Sequence, residues 1–193
     1  MELDHVLIAA ADLDAVAREL ETEHGLVSIE GGRHPGWGTA NRIVPLGATY
    51  LELVAVVDEA EASQSAFGRW VAASRSGAPF GWAVRTPDLD AVAGRLGLTV
   101  HAGSRLAPDG RRLTWRMAGI ERAAAEPSLP FVIEWGADTP FPGAAGTHVD
   151  LSLQLRGDAG RLTEWLGQNE LPITIRPGEA AVISVSVGGR RLG

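Results

Sequence analysis

The stretch DLDAVAREL at residues 12–20 returns as DLDAVAGRL at residues 88–96, with seven of the nine letters unchanged. In both copies an Asp precedes apolar residues that recur at helical spacing, so its short carboxylate can cap the first turn of a helix. The segments around each copy follow the same order of strand, helix and three further strands. The sequence therefore predicts a duplicated β-α-β-β-β module and an α+β fold class.

Four units follow from this repeat. We expect module one at residues 1–57, a linking helix at 58–78, module two at 79–136 and, after a Pro- and Gly-rich connection, a partial βαββ unit at 147–193. Two runs rich in turn residues, GGRHPGWG (31–38) and SRLAPDGRR (104–112), are predicted as loops inside the modules.

The composition excludes several kinds of chemistry. The 193-residue chain is 45% hydrophobic and 21% charged, as in ordinary globular proteins, and its net charge of −7 argues against a nucleic-acid partner. All 17 basic residues are Arg and there is no Cys, which excludes lysine and thiolate chemistry. Because the chain has no apolar run of ~18 residues and no basic, signal-like N-terminus, we expect a cytoplasmic protein without a membrane partner.

Strand alternation selects a first candidate site residue. Side chains of a strand point alternately to its two faces, so in LDHVLIAA (3–10) Val6 and Ile8 are predicted to pack on the helices. His5, together with Leu3, then lies on the opposite face. The alternative is a histidine that forms a hydrogen bond inside the sheet.

The same alternation assigns two carboxylates to that opposite face. In TYLELVAVV (49–57) Glu52 stands between Leu residues, and in FVIEW (131–135) Glu134 has the same setting. An unpaired carboxylate in an apolar strand is costly, so each needs a partner unless it is an exposed edge residue. We expect His5, Glu52 and Glu134 to meet in a cup, where they could hold a divalent metal ion. Without an ion, the two carboxylates would repel each other and one would take up a proton.

Two runs, LDHVLIAAADLDAVARELE (3–21) and GRHPGWGTANRIVPLGATYLELVAV (32–56), resemble the glyoxalase-like branch of the vicinal oxygen chelate superfamily. The resemblance extends over residues 2–136. It implies a half-open barrel of paired βαβββ modules. It also implies metal ligands on the first and last strands of each module, a His or Gln on the first and a Glu on the last.

Carried over residue by residue, this family pattern gives His5, Glu52 and Glu134 as ligands of a divalent ion, Zn, Mn, Fe or Ni. The fourth place falls on Gly81, which has no side chain to offer. The resemblance implies a metal-dependent lyase, isomerase or dioxygenase acting on a small oxygenated organic molecule, with Glu52 and Glu134 as catalytic carboxylates. It equally allows a metal-free cup that sequesters a drug-like ligand, in the manner of bleomycin-resistance proteins.

The run GGRHPGWGTAN (31–41) is predicted to lie near the mouth of the cup. Its aromatic, hydroxyl and amide groups, with one Arg of module two, are the candidate substrate-pocket residues: His34, Trp37, Thr39, Asn41 and Arg116. Arg116 and Arg85 would bind an anionic substrate, or else are surface residues. Because folds of this kind leave strand edges open to pairing, we expect a homodimer as well as a small-molecule ligand.

Overall fold

The computed structural model of the chain describes residues 1–107 and 109–192. Module one contains β1 (Glu2–Ala9), α1 (Leu13–His24), β2 (Ile29–His34), β3 (Thr39–Pro45) and β4 (Tyr50–Val56). The connection to module two contains α2 (Glu59–Gln64) and α3 (Ala66–Ala73). Module two contains β5 (Pro79–Arg85), α4 (Leu89–Leu96), β6 (Val100–Leu106), β7 (Arg112–Ala118), α5 (Ile120–Ala125) and β8 (Phe131–Trp135). A 3₁₀ helix (Pro142–Ala145) leads to β9 (Leu151–Arg156), α6 (Ala159–Leu166), β10 (Ile173–Arg176), β11 (Ala181–Val187) and β12 (Arg190–Leu192).

The two modules share one curled sheet, whose eight strands run in the order β2-β3-β4-β1-β5-β8-β7-β6. β1 and β5 pair antiparallel at its centre, with Leu7 opposite Gly81, so an approximate two-fold axis relates the modules. The end strands β2 and β6 come together at Gly32, where any Cβ would collide with the carbonyl oxygen of Leu106. The predicted α+β class with a barrel of paired modules is confirmed, and this barrel is nearly closed.

The repeated stretch forms the same capped helix twice. Asp12 caps α1 and Asp88 caps α4, each by accepting a hydrogen bond from the backbone N–H three residues ahead, at 2.9 and 3.0 Å. Gly25 and Gly97 end these helices in the left-handed conformation, with φ of 71° and 64°. The local chemistry that predicted the duplication therefore also sets both ends of each helix.

The two faces of the large sheet have different neighbours. Val6 and Ile8 pack in the core under the helices, as predicted, whereas Leu7 faces the cup enclosed by the other face. A register shift between Leu3 and His5 turns Leu3 to the helix side, against the prediction. Such an irregularity interrupts the strict alternation on which the prediction depended.

The linking helix predicted at residues 58–78 is interrupted. Ser65 lies between α2 and α3 in an extended conformation, with φ −109° and ψ 145°, and its hydroxyl accepts a hydrogen bond from the Gly68 amide at 2.8 Å. A Ser side chain that bonds to a nearby backbone N–H favours such a helix start over a helix interior. α3 is thereby free to take its own direction and packs against the cup side of the sheet.

Both predicted loops are shorter than expected. β2 extends into the run 31–38, because its glycines continue the pairing with β3, so His34 lies on a strand. β6 extends to Leu106 in the run 104–112, of which Pro108 lies outside the described residues. Helix α5 and strand β12 are further additions to the predicted elements.

The C-terminal unit forms a second sheet of four strands in the order β10-β9-β11-β12. Its apolar residues Leu153, Leu155 and Trp165 join the core that lies under α1 and α4. The Trp165 indole N–H donates to the Pro130 carbonyl oxygen at 2.9 Å. The unit therefore covers the helical side of module two and leaves the cup to the two modules and their connections. Among the described helices, none has the length and apolar character needed to span a membrane.

Candidate active site

A buried cavity lies on the inner face of the large sheet. Its volume is about 30 Å³, room for roughly two water molecules. Its polar lining comprises His5, His34, Asn41, Tyr50 and Glu52 from module one and Arg105 from module two. The rest of the wall is mainly apolar and aromatic, and much of it comes from module two. The cavity is therefore chemically one-sided, although the modules that enclose it are related by the repeat.

His5 is held from one side and free on the other. Its Nδ1 lies 2.6 Å from Oδ1 of Asp4, and the Asp4 Oδ2 accepts a hydrogen bond from the Trp135 indole at 3.0 Å. Tyr50 stacks on the imidazole with ring centroids 4.6 Å apart. The buried Nε2 has no hydrogen-bond partner among the described residues. Because a carboxylate accepts at Nδ1, the favoured tautomer leaves a lone pair on Nε2, which faces the cavity.

Glu52 lies directly opposite this nitrogen. Its Oε2 is 3.4 Å from Nε2 of His5, and its Oε1 accepts a hydrogen bond from Nδ2 of Asn41 at 2.7 Å. The side-chain carbonyl oxygen of Asn41 is buried and has no partner among the described residues. Within the described residues the Glu52 carboxylate accepts this one hydrogen bond, so in a buried cavity it is incompletely satisfied, which favours its interaction with a bound ligand or ion.

His34 completes the polar group on the other side of Glu52. Its Nε2 lies 3.8 Å from Oε1 of Glu52, and its Nδ1 lies 2.9 Å from the Thr39 hydroxyl oxygen. Burial lowers the pKa of His34 from the usual 6.5 to about 4, and the charge of Arg105 acts in the same direction. His34 is therefore a neutral imidazole at pH 7.

Glu134 does not reach the cavity, contrary to the prediction. It accepts a hydrogen bond from the Leu89 amide at the start of α4 (2.8 Å) and forms a salt bridge with Arg116 (2.9 Å). These contacts lie on the helical side of the sheet, where the neighbouring Val132 also packs. The three predicted ligands His5, Glu52 and Glu134 therefore do not converge on one point.

Phe131 takes the place in module two that Glu52 has in module one. Leu7 pairs with Glu52 across β1 and β4, and Ala83 pairs with Phe131 across β5 and β8. Leu7 and Ala83 are equivalent in the repeat, since they stand equally far from residues 12 and 88. The sequence match of the Glu134 strand to the Glu52 strand failed because α5 is inserted before β8 and changes the spacing.

Gly81 takes the place in module two that His5 has in module one. A Cβ on Gly81 would collide with the ring of Trp70, which projects from α3. The linking segment thus fills the space in which a second-module ligand would stand. Module two offers no metal-binding side chain at either of its two equivalent positions.

The two arginines predicted for an anionic substrate also lie outside the cavity. Arg116 is paired with Asp90 and Glu134 at 3.0 and 2.9 Å, because Trp115 and Met117 take the inner face of β7 and direct it outward. Arg85 donates to backbone carbonyl groups at the ends of β1 and β4.

Among the described residues, the arginine that lines the cavity is Arg105 of β6, which was not predicted from the sequence. It falls in the run 104–112, whose glycine, proline and aspartate concealed a strand that continues to Leu106. Alternation along β6 was the available indication, but it requires the strand to be recognised first.

The predicted pocket residues of module one do come together. Trp37, His34 and Asn41 line the cavity, while Thr39 lies behind His34 as its hydrogen-bond partner. Trp37 contacts the Trp115 ring of module two, with centroids 5.8 Å apart. Trp115 therefore stands on the wall of module two where Arg116 was predicted, and the arginine of that wall is Arg105.

Two of the three predicted donors fit a divalent ion. The buried Nε2 of His5 has no hydrogen-bond partner in the part of the chain that the structure describes. Its other nitrogen is anchored by a carboxylate, as in many metal sites, and Glu52 is 3.4 Å away. No set of three or more His, Asp or Glu side chains within residues 1–107 and 109–192 has the arrangement of a metal site. An ion held here would be bound by His5 and Glu52 and completed by other ligands.

The sequence model of a family described as "Glyoxalase-like domain" matches residues 3–157. The chain belongs to this glyoxalase-like family. Its place in the vicinal oxygen chelate superfamily, which the motifs around His5 and Glu52 implied, is confirmed. No curated protein matches the sequence.

Solved structures share the fold of this glyoxalase-like protein. A hypothetical protein from Staphylococcus aureus is 15% identical with a TM-score of 0.73, over 94% of this chain and 88% of that one. A methylmalonyl-CoA epimerase from Streptomyces coelicolor, in complex with 2-nitronate-propionyl-CoA, is 21% identical with a TM-score of 0.51, over 72% of this chain and 99% of that one. A methylmalonyl-CoA epimerase in complex with methylmalonyl-CoA is 21% identical with a TM-score of 0.50, over 72% and 98% of the two chains. At these identities the likeness establishes the fold alone.

Proposed function

We propose that the cavity is the active site of an enzyme that moves a proton at a carbon next to a carbonyl group of a small oxygenated molecule. One observation carries the proposal: Nε2 of His5, which has no hydrogen-bond partner among the described residues, and the carboxylate of Glu52 face each other at 3.4 Å in a buried cavity. Two proton acceptors side by side in a site shielded from bulk water are suited to general acid–base catalysis. Isomerases and lyases of the kind that the sequence resemblance implies both use such a step.

Glu52 and His5 can carry out both proton transfers of such a reaction. The C–H bond breaks, its proton passes to the carboxylate of Glu52, and the electron pair moves toward the carbonyl oxygen to give an enolate. Return of this proton, directly from Glu52 or after its transfer from Glu52 to Nε2 of His5, at the neighbouring carbon or on the opposite face, gives the isomer. Asp4 supports this role of His5 because it fixes the ring so that Nε2 faces the reacting carbon.

A divalent ion, if bound by His5 and Glu52, would polarise the substrate carbonyl and stabilise the enolate. Nε2 of His5 would then hold the ion, and the free oxygen of Glu52 alone would take up and return the proton. Dependence on a metal ion is a more specific version of the proposed reaction, and it rests on the two donors His5 and Glu52. The epimerase neighbours support a small-molecule ligand in the cup, since their structures contain acyl-CoA ligands. The homodimer and the cytoplasmic location remain predictions.

The test is hydrogen exchange in D₂O. The protein is first screened with small carbonyl compounds by thermal shift, and those that bind are followed by proton NMR for loss of the C–H signal. We expect exchange by the wild type and at least about a 100-fold slower rate for Glu52→Gln, the usual scale for a lost general base. Glu134→Gln makes the same chemical change outside the cavity and should retain the exchange rate.

The outcomes separate the proposals. Equal exchange by the wild type and Glu52→Gln would reject the role of Glu52. Binding without any exchange would instead favour a ligand-sequestering protein, which the aromatic wall of Trp37, Phe67, Trp115 and Trp135 supports. Repeating the measurement with a chelator and with Mn²⁺, Fe²⁺, Zn²⁺ or Ni²⁺ tests the metal dependence, and an unchanged rate in all cases would reject it.

A further inference from the structure

Arg105 is a buried cation at the wall of the cavity. It projects from β6, is only 7% exposed, and donates from one guanidinium nitrogen to the carbonyl oxygen of Gly31 in β2. Among the described residues this is its only hydrogen bond, although a guanidinium carries five N–H donors. The geometry therefore leaves most of its hydrogen-bonding capacity unused.

Arg105 also lacks a salt-bridge partner. No carboxylate oxygen of the described residues lies within the 4.0 Å that defines a salt bridge to it, whereas Arg42, Arg85, Arg111, Arg116 and Arg161 each have such a partner. Burial lowers the pKa of Arg105, and the more distant charge of Glu52 acts in the opposite direction. The side chain stays protonated, because arginine does not lose its proton in proteins. A buried charge without a close counter-ion is costly to maintain unless a ligand supplies that counter-ion.

Arg105 stands at the boundary between the buried cavity and an outer groove, where a ligand would enter. Together with Ile43 and Pro142 it lines both the buried cavity and an outer groove at the seam of β2 and β6. Inward from it lie Glu52 and Asn41, while the groove offers apolar contacts such as Phe141. Because the buried cavity alone has room for only about two water molecules, a ligand held at Arg105 would extend from the cavity into the groove.

We propose that Arg105 binds a carboxylate of the ligand, so that the substrate class is a small oxo- or hydroxycarboxylic acid. The planar guanidinium matches a carboxylate in a bidentate geometry. The acid would be the substrate of the proton-transfer site, so this inference rests on the proposed function. Arg105, rather than the predicted Arg85 or Arg116, then supplies the positive charge for an anionic substrate.

The test compares acids with their neutral amides. Isothermal titration calorimetry measures binding of 2-oxo acids with three to six carbons and of the corresponding 2-oxo amides, which have nearly the same shape. We expect the wild type to bind at least one acid more tightly than its amide by about 10-fold or more, the scale of a hydrogen-bonded charge pair. Arg105→Gln should lose this preference, while Arg116→Gln, outside the cavity, should keep it.

Arg105 also joins β2 to β6, so its replacement can loosen the barrel. Circular dichroism melting of each variant checks the fold, and Arg105→Lys serves as the second variant. Lysine keeps the charge without the planar fork, and we expect it to keep part of the preference. Equal affinity of acid and amide for the wild type, no binding of any acid, or an undiminished preference in folded Arg105→Gln and Arg105→Lys would each overturn the proposal.

Failure of the role proposed for Arg105 can be distinguished from failure of the proposed proton transfer. A carboxylate preference without C–H exchange would keep the role of Arg105 and reject proton transfer. Exchange of 2-oxo acids at the same rate in the wild type and in folded Arg105→Gln would keep proton transfer and reject carboxylate binding by Arg105.

Discussion

At the scale of single residues, the contact between the neighbours Asp4 and His5 has the largest effect on the chemistry of the cavity, because it sets the orientation and tautomer of His5. Side chains of adjacent strand residues normally point to opposite faces. The register shift between Leu3 and His5 relaxes this rule and brings the carboxylate to Nδ1 at 2.6 Å. The orientation of His5 is therefore set by a backbone irregularity as much as by the identity of the side chains.

Asp4→Asn should reverse the tautomer of His5. The Trp135 indole N–H needs the oxygen of the new amide, so the amide NH₂ group would face Nδ1 and donate to it. Nε2 would then carry the proton and lose its lone pair toward the cavity. Nitrogen-15 NMR of labelled histidine reads this directly, with Asp150→Asn beside the exposed His148 as the control. Unchanged ring-nitrogen shifts of His5 would contradict the positioning role of Asp4.

His34 should make the protein less stable in acid. Its pKa of about 4 in the folded state lies below the usual 6.5 of the unfolded chain, so unfolding takes up a proton between these values. Its contribution to stability is complete above pH 6.5 and is lost as the pH falls toward 4, by on the order of 3 kcal/mol.

Urea unfolding with a chelator present, at several pH values, measures the effect. The free energy of unfolding of the wild type should fall relative to that of His34→Gln over this interval. His148→Gln, at an exposed position, should follow the wild type. Parallel curves for the wild type and His34→Gln would show that burial of His34 has no such effect.

At the scale of elements, α3 decides what module two can contribute to the cup. Trp70 occupies the space above Gly81, so the fit of this helix and the absence of a side chain on β5 depend on each other. The interruption at Ser65 is part of the same arrangement, since it lets α3 turn toward the sheet. The missing ligand of module two is thus a packing feature of the linking segment.

Gly81→Ala should destabilise the protein by about 1–3 kcal/mol, because its Cβ would meet the Trp70 ring in a packed core. In a Trp70→Leu background the same change should cost much less, since the smaller side chain leaves room. A double-mutant cycle by urea unfolding measures the coupling between the two positions. Strictly additive effects would mean that Trp70 does not fill the place above Gly81.

At the scale of the whole molecule, the sequence predicted features that depend on neighbouring residues better than features that depend on contacts between distant parts of the chain. The caps Asp12 and Asp88 are local, and they predicted the duplication, whereas the barrel was implied by the family resemblance. Alternation within β1 and β4 placed His5 and Glu52 correctly on the inner face. The position of Glu134 depended on the register of β8 after the inserted α5, which no local pattern encodes.

Closure of the barrel was hidden for the same reason. The contact between β2 and β6 joins strands that are distant in the chain and rich in glycine, where the usual strand signals are weak. Arg105 enters the cavity only because that seam closes, so its role could not be read before the end strands were placed.

The ring of Trp70 above Gly81 has a wider consequence for a chain built by duplication. His5 and Glu52 stand in module one, whereas the equivalent places in module two hold Gly81 and Phe131. Module two instead brings Arg105 and an aromatic wall to the cup. The two halves are therefore not interchangeable, and a ligand between them would meet different chemistry on each side.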